Sequence, residues 1–540
     1  MNTRPEKRWL ISISIFLILI TTIPYLLGYF FEGSDWKFTG FLFGVEDGNS
    51  YIAKMLNGAN GDWLFRTPYT TMEQTGLIVF LPFILLGKLT SQPGQHDQLV
   101  AIYHIFRWIG IFLFVFSSYD FISLFLEKST YKKAAVLIIS CGGGLGWLYF
   151  VGLQSIWGEN LPLEFYSPES FGFLEIFGLP HLAFARALLL WGLTEYLRDP
   201  FSFWDKKKVI STCLIWFLIG FFQPLTISIG WILITAHLIA VWIFQFNKKR
   251  INQKEDFVEW NEYLHRGIVI AGSSCFWIIY NGIIFLRDPF AKIWMGQNYL
   301  PSPPIFSYLL AYAWMMPFVL IGVFVLFKNR KSRDIFLLIW VFLLPILAYA
   351  PVNVQRRLPE GYWTAIVIIA LTGIYKIASE RKWILNLIVI PTFISTLFFI
   401  SGSILTILHP GLPAFIPRTE VECYKKMNQL KKTKDVVLAD KITSNSLPAW
   451  ANIRTLIGHG PESALKEEIE LLVDRFLKGL MTSQDQIEFL EEYQVKFLFW
   501  GINEQKIGVW NPDSDPLLKL AFVGSGCRIY SVTNNRPEND

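Results

Sequence analysis

Charged residues are scarce in this sequence. Lysine, arginine, aspartate and glutamate make up 17% of its 540 residues, whereas soluble domains carry about 25%. Hydrophobic residues make up 53%, and tryptophan and phenylalanine, with 21 and 47 copies, are abundant. This balance excludes a soluble domain and is typical of a polytopic membrane protein with aromatic residues at the lipid interface. Basic cytoplasmic loops account for the net charge of +5, and we expect no nucleic-acid partner.

Cysteine is also rare, and the five cysteines show no metal-ligand spacing. Three lie in apolar segments, and Cys423 and Cys527 are able to pair in an oxidising compartment, although we favour two free thiols there. No small-x-small cleavage site follows the first apolar run, which indicates an uncleaved signal anchor. Internal repeats and nucleotide-binding loops are absent from the sequence pattern.

Long apolar segments dominate the first 407 residues. They run at about 9–31, 76–91, 99–126, 133–153, 181–197, 209–223, 226–246, 265–286, 305–327, 335–350, 362–377 and 382–407. Basic clusters recur at about 4–8, 128–133, 198–208, 248–254, 328–333 and 376–382, and such clusters mark cytoplasmic loops.

These clusters can all be cytoplasmic only if one apolar segment does not span. Segment 76–91 is short and contains Pro82, so we predict that it is a re-entrant or interfacial helix. The prediction is therefore a mainly α, multi-pass protein of the cell membrane with about eleven spans. Its N-terminus is cytoplasmic and its C-terminus lies outside.

The composition changes after the last apolar segment, which predicts two domains: a transmembrane domain over 1–407 and an extracytoplasmic α/β domain over 408–540. Short β-like runs in the second domain lie at 436–439, 455–458, 497–500 and 528–532, and helical patterns lie at 418–432 and 461–493. Its His459 stands between two glycines, and we favour a turn residue there over a catalytic one.

A short acidic stretch follows the first apolar segment. Glu46 and Asp47 precede Tyr51 and Lys54. Tyr51 follows Asp47 by four residues and Lys54 follows Tyr51 by three, so a helix would put these three side chains on one face. An acid just outside a membrane helix is able to take a proton or hold a metal where a lipid-linked substrate arrives. The ordinary alternative is an acid that is merely solvated.

An arginine pair stands in a loop predicted to face outward. Arg356 and Arg357, next to Gln355, break the positive-inside pattern, and phosphate is a natural partner because guanidinium binds it bidentately. Pairing with Glu360 or with anionic lipid headgroups is an equal alternative.

Charged and polar residues also occur inside predicted spans. His104 and Arg107 lie three residues apart in one span, and Arg186 lies in another. Such residues are costly in lipid and usually face a cavity or a partner. The alternative, a side chain that reaches the interface from near a helix end, suits Arg186 better than Arg107.

Taken together, these motifs resemble those of the GT-C glycosyltransferases, and most closely the protein O-mannosyltransferase and aminoarabinose transferase branch with its bacterial relatives. The resemblance covers about residues 9–200. The residues that carry it are Asp47, Tyr51, Ala53 and Met55, the step Gly61-Asp62-Trp63, and the run from Phe80-Leu81-Pro82 to Leu86-Gly87.

The resemblance implies that Asp47 is the catalytic acid, with Glu46 beside it. Family members often carry a second acid where this chain has His181, which becomes a candidate base or, with Asp47, a candidate ligand of a divalent metal ion. Placement on the outer side makes Arg356, Arg357 and Lys54 candidate ligands of the donor phosphate. Polar residues predicted to line the cavity are Tyr51, His104, Arg107 and Gln355.

The function implied is a membrane glycosyltransferase. It would move a sugar from a polyprenyl-phosphate-linked donor, within the membrane lipid, to a glycan, lipid or protein acceptor on the outer face. The alternatives are a non-enzymatic transporter or scaffold for lipid-linked glycans, and an active C-terminal domain with a membrane anchor. A transporter typically shows internal repeats, and eleven spans exceed what an anchor needs.

Overall fold

The computed structural model describes residues 3–198, 205–251, 258–329, 331–379, 381–432, 434–508 and 510–533. Parts of the basic clusters predicted at 198–208, 248–254 and 328–333, and the last seven residues of the predicted C-terminal domain, lie outside these ranges.

The α-helices are α1 Arg4–Phe30, α2 Val45–Ala59, α3 Leu81–Gly87, α4 Gln95–Ile122, α5 Ser129–Cys141, α6 Trp147–Phe150, α7 Gly172–Gly178, α8 Pro180–Leu197, α9 Lys206–Phe222, α10 Pro224–Ile251, α11 Val258–Arg287, α12 Pro289–Gln297, α13 Ile305–Tyr312, α14 Met316–Asn329, α15 Ser332–Ala348, α16 Tyr362–Ala378, α17 Lys382–Val389, α18 Ile394–Leu408, α19 Arg418–Leu430, α20 Lys441–Ser446, α21 Lys466–Leu477, α22 Ser483–Glu492 and α23 Ile502–Gln505. The β-strands are β1 Trp36–Phe38, β2 Phe415–Pro417, β3 Val436–Leu438, β4 Arg454–Thr455, β5 Val495–Trp500, β6 Leu518–Val523 and β7 Arg528–Val532.

These elements form two compact units. The first unit comprises Met1–Thr22, Ile105–Ile283 and Tyr299–Ser403, and the second comprises Ile23–His104, Ile284–Asn298 and Ile404–Asp540. The second unit therefore combines the predicted C-terminal domain with the loop that follows the first apolar helix.

Several helices are long and apolar enough to cross a membrane. Within the described residues there are five, namely Arg4–Phe30, Gln95–Ile122, Pro224–Gln245, Glu259–Arg287 and Lys382–Leu408. The pair α13 and α14, bent by 83°, makes a sixth if it counts as one span. The mainly α architecture of a multi-pass membrane protein is confirmed, while the count of about eleven spans stays a prediction.

The predicted non-spanning helix is short. α3 has seven residues, about 10 Å at the α-helical rise, and the hydrocarbon core is about 30 Å thick. It packs so closely on α2 that a Cβ at Gly58 would lie 2.0 Å from the carbonyl oxygen of Ile84, and a Cβ at Gly87 1.8 Å from that of Met55. Two glycines therefore permit this helix pair. α3 by itself is too short to span, and the non-spanning character of segment 76–91 stays a prediction.

A buried ion-pair network lies in the first unit. Arg186 of α8 donates to Glu175 Oε1 at 2.6 Å, to Glu360 Oε1, and to the carbonyl oxygen of Glu169 at 3.0 Å. All three charged partners, Arg186, Glu175 and Glu360, are buried. The charge of Arg186 is thus paired inside the protein.

A five-stranded sheet with the order β4-β3-β5-β7-β6 forms the centre of the second unit's C-terminal part. β3 pairs in parallel with β4 and β5, and β7 pairs antiparallel with β5 and β6. Apolar side chains of α21 and α22, including Phe476 and Phe489, pack with Leu498 of β5. Three of the five strands coincide with β-like runs of the sequence, and β4 shares only Thr455 with the run predicted at 455–458. The strand β6, which is largely exposed, was not predicted.

A second sheet and a disulfide bind the segments of this unit together. β1 pairs antiparallel with β2, from Trp36 opposite Pro417 to Phe38 opposite Phe415. Cys423 and Cys527 form a disulfide, so the expectation of two free thiols is wrong. Nothing in the sequence near either cysteine indicates the partner, since they lie 104 residues apart and meet only through the fold of the sheet.

Candidate functional site

α2 positions the acidic stretch. The helix begins after Gly44, whose backbone is left-handed with φ 57°, and Glu46 and Asp47 occupy its first turn, where the helix dipole favours negative charge. The Glu46 side chain is exposed, the Asp47 side chain is half-exposed, and Tyr51 is buried with its ring stacked on Phe83 at a centroid distance of 4.4 Å. Asp47 is therefore fixed at its backbone while its carboxylate is accessible.

The carboxylate of Asp47 meets a histidine of the C-terminal domain. Nε2 of His459 lies 3.0 Å from Asp47 Oδ1, and Nδ1 of the same ring lies 3.4 Å from Glu462 Oε1, an ion-pair contact. His459 precedes the 3₁₀ turn Gly460–Glu462, and the hydroxyl of Ser463 accepts its backbone N–H. It does stand in a turn, but sequence reasoning missed its contact with Asp47. The spacing of three between His459 and Glu462 was the available signal that these two side chains lie close together.

Lys54, one α-helical turn beyond Tyr51, lies on the other side of Glu462. Its ammonium donates to Glu462 Oε1 at 2.7 Å and to the hydroxyl of Ser50. Thr67 donates to the other carboxylate oxygen of Glu462 at 2.9 Å, and the ring centroid of Phe80 lies 4.4 Å from the Lys54 ammonium. With Lys54 only 1% exposed, its charge is used to hold Glu462; a contact between Lys54 and a donor phosphate stays a prediction.

Alternating charges connect the four residues. Burial lowers the pKa of His459, but the Glu462 carboxylate and the hydrogen bond to Asp47 outweigh it and raise that pKa to about 9. Burial raises the pKa of Glu462, but Lys54 and His459 outweigh it and lower that pKa to about 2. At neutral pH the order is therefore cation, anion, cation, anion from Lys54 through Glu462 and His459 to Asp47.

This arrangement does not fit a bound metal ion. His459 Nε2 contacts Asp47 Oδ1, and a pKa of His459 raised to about 9 favours the imidazolium at neutral pH, which carries a proton on each ring nitrogen and does not ligate a metal. Among the described residues there is no group of three or more histidine, cysteine, aspartate or glutamate side chains that could hold a metal ion. Asp47 belongs to the second unit and the buried His181, on α8, to the first. A metal ion bound by both Asp47 and His181 stays a prediction.

The arginine pair forms the 3₁₀ turn Gln355–Arg357 in the first unit. Arg357 Nε lies 3.6 Å from Glu169 Oε1, and the guanidinium of Arg356 lies 5.0 Å from the ring centroid of Tyr166. Within the described residues, the buried Nε of Arg356 has no hydrogen-bond partner. Gln355 braces the turn by donating to the carbonyl oxygen of Ala350 at 2.9 Å.

His104 and Arg107, which were also predicted to line the cavity, form hydrogen bonds with a backbone carbonyl group and with hydroxyl groups. His104 Nε2 lies 3.0 Å from the carbonyl oxygen of Gly40. Arg107 donates to the hydroxyls of Thr21 and Thr22 at 2.7 and 2.8 Å. Both side chains are buried in protein, which lowers the cost of placing them at membrane depth.

Comparison with known proteins rests on structure. No protein-family model matches the sequence, and no curated protein matches it either. The archaeal oligosaccharyltransferase AglB from Archaeoglobus fulgidus, solved with an inhibitory peptide and a dolichol-phosphate, has a similar structure with a TM-score of 0.50 and 12% identity, over 93% of this chain and 70% of AglB. The arabinofuranosyltransferase AftD from Mycobacteria has a TM-score of 0.55 and 11% identity, over 96% of this chain and 40% of AftD. ArnT from Cupriavidus metallidurans, solved with undecaprenyl phosphate, has a TM-score of 0.47 and 10% identity, over 97% of this chain and 98% of ArnT.

This chain has the GT-C fold. The resemblance drawn from the first-loop motifs is thereby confirmed at the level of the fold. Within this fold, the carboxylate of Asp47 is hydrogen-bonded to His459 of the C-terminal part. A proposed function has to account for this contact.

Proposed function

We propose that this chain is a membrane glycosyltransferase that moves a sugar from a polyprenyl-phosphate-linked donor to an acceptor on the outer face. The GT-C fold supports the proposal, as do dolichol-phosphate in the AglB structure and the membrane-spanning helices of this chain. The observation that carries it is the half-exposed carboxylate of Asp47, whose Oδ1 lies 3.0 Å from His459 Nε2.

The chemistry assigned to Asp47 is general-base catalysis. An acceptor hydroxyl or amine attacks the anomeric carbon of the donor sugar, and its proton passes to the carboxylate of Asp47. The new bond to the sugar forms as the bond between the anomeric carbon and the phosphate oxygen breaks, and the phosphate leaves with that electron pair. Binding of a donor phosphate by Arg356 and Arg357 stays a prediction.

His459, Glu462 and Lys54 act as positioning residues in this proposal. The imidazolium fixes the plane of the Asp47 carboxylate, and Glu462 keeps the imidazole protonated. Lys54 holds Glu462 in a buried site where an unpaired carboxylate would be costly.

Turnover of the lipid carrier tests this function. Purified protein is incubated with a panel of polyprenyl-phosphate sugars and candidate acceptors, and release of polyprenyl phosphate is measured. We expect release with at least one sugar from the wild type and almost none from Asp47→Asn. Equal release from both proteins would contradict the proposal, and a transporter or scaffold would show no release.

A further inference from the structure

A cavity of about 410 Å³ lies within the second unit, between the loop after α2 and the C-terminal sheet. Three basic side chains, Arg66, Lys434 and Arg454, line it. Among its described lining residues the carboxylate is that of Glu73, which is exposed. Positive charge therefore exceeds negative charge in the cavity.

The two guanidinium groups are bound to carbonyl oxygens rather than to acids. Arg66 Nε donates to Gln74 O at 3.2 Å, and Arg454 donates through Nε to Lys434 O and through Nη1 to Thr71 O, both at 3.3 Å. Neither forms an ion pair with a carboxylate among the residues that the structure describes. Burial lowers the pKa of Arg454, which is the signature of a cation whose desolvation is not offset by an anion.

Lys434, by contrast, already has an acidic partner. Its ammonium lies 3.1 Å from Asp62, and its side chain is 36% exposed. An arriving anion would therefore be bound first by the two arginines, each of which retains N–H donors.

Asn452 adds an unused acceptor to the same cavity. The residue is 4% exposed, and its Oδ1 has no hydrogen-bond partner among the described residues. A buried amide oxygen without a partner is rare in folded proteins, and a hydroxyl group is a donor that would satisfy it. The cavity thus offers donors for an anion and an acceptor for a hydroxyl.

Thr67 connects this cavity to the charged residues of the site. It lines the cavity, and its hydroxyl donates to Glu462, which contacts His459. A ligand held here lies within a few side chains of Asp47.

We infer that the cavity binds a carboxylate or phosphate carried on a hydroxyl-bearing sugar of the acceptor. The guanidinium forks of Arg66 and Arg454 bind the anion, and Asn452 accepts a sugar hydroxyl. The role as acceptor rests on the proposed function, whereas binding itself does not. A donor lipid carries the same phosphate chemistry, so the test compares both sources.

The experiment measures binding to the full-length protein by calorimetry with glucuronate, glucose 6-phosphate, glucose and a short-chain polyprenyl phosphate. We expect the two anionic sugars to bind and glucose to bind at least about tenfold more weakly. The double variant Arg66→Gln with Arg454→Gln is expected to lose at least tenfold in affinity for the anionic sugars. A matched control, Arg475→Gln with Arg528→Gln, removes two arginines of the same domain away from the cavity and is expected to bind as the wild type does.

A second variant guards against misfolding of the arginine variant, because both arginines also brace loops. Asn452→Asp keeps the side-chain shape and places a negative charge in the cavity, so we expect weaker anion binding by a protein that melts like the wild type. Two results would overturn the inference: equal weakening of binding in the control pair, and unchanged binding in Asn452→Asp. It would also be overturned if polyprenyl phosphate, rather than the anionic sugars, is the ligand whose binding the arginine variant loses.

Failure of the proposed function looks different. Asp47→Asn should still bind the anionic sugars although it transfers none. The protein could also transfer sugar while the cavity variants leave the KM for anionic acceptors unchanged. That result would agree with the proposed function but would show that the cavity is not the acceptor site.

Discussion

His459 and Asp47, 412 positions apart in the sequence, are joined by a 3.0 Å contact between Nε2 and Oδ1. The helix α2 supplies the acid, and the C-terminal part of the same unit supplies the cation that orients it. The C-terminal domain is therefore part of the candidate site. Glu462 stabilises the positive charge of His459, and Lys54 in turn stabilises the carboxylate of Glu462.

Loss of the Asp47 charge should abolish transfer without unfolding the protein. Asparagine keeps an oxygen that accepts the hydrogen bond of His459, but it cannot take a proton. We expect Asp47→Asn to reduce sugar transfer by a factor of about 10² or more, the usual contribution of proton transfer. Thermal melting checks folding. If Glu46→Gln loses transfer while Asp47→Asn retains it, the register of the predicted base is off by one residue.

The stability that His459 contributes should depend on pH. Its pKa is raised from 6.5 to about 9 in the folded protein, so the contribution is complete below pH 6.5 and disappears as the pH rises through about 9. The melting temperature of the wild type should therefore exceed that of His459→Gln at pH 6, and the gap should close by pH 10. A gap that is constant over this range would mean that His459 is neutral in the fold.

Some of this architecture follows from local sequence. The helix α2, the strand runs such as Val495–Trp500 and the short α3 depend on apolar periodicity and on residues such as Pro82, which act within a few positions. Local patterns also identified Asp47 as an acid at a helix start.

The contacts that complete the site do not follow from local sequence. The pairs Asp47–His459 and Cys423–Cys527 form only when the sheet brings distant segments together. His459 has glycine on both sides, which is typical of a turn, so the local sequence did not indicate its contact with Asp47. The burial of Lys54 against Phe80 and Glu462 likewise depends on segments outside α2, so it could not be predicted from the local sequence.

Breaking the buried ion pair should destabilise the protein much more than breaking an exposed one. Lys54→Met leaves the Glu462 carboxylate buried beside the protonated His459 alone, and removal of one partner of a buried pair costs about 3 kcal/mol or more. Lys441→Met is the control, because Lys441 and Glu470 are each 39% exposed and such pairs contribute about 1 kcal/mol or less. Equal losses of melting temperature in the two variants would argue against a charged, buried Glu462.

Reduction of the disulfide should also destabilise the C-terminal part. Cys423 and Cys527 close a loop with a sequence separation of 104, and a loop of that length is worth up to about 5 kcal/mol in the chain-entropy view. We expect a reductant to lower the melting temperature of the wild type. The variant Cys423→Ser with Cys527→Ser should melt lower and be insensitive to the reductant. A wild type that ignores the reductant while remaining reduced would contradict this.

The last prediction concerns the side of the membrane on which the second unit lies. β1 follows α1 and pairs with β2, which follows α18, so the two segments lie on the same side. The chain between them must then cross the membrane an even number of times, and with the crossing of α1 the total is odd. The disulfide is consistent with an oxidising compartment, and the basic clusters predict that the N-terminus is cytoplasmic.

Reporter fusions test this arrangement. A reporter active only after export should be active when fused after Asp540 or after Ser91, which lies between α3 and α4, and inactive after Lys128, in a loop predicted to be cytoplasmic. Export after Asp540 combined with a cytoplasmic Ser91 would mean that the segment around α3 crosses after all. A cytoplasmic C-terminus together with an exported N-terminal fusion would invert the whole orientation, and an odd number of crossings would still hold because the pairing of β1 with β2 requires it.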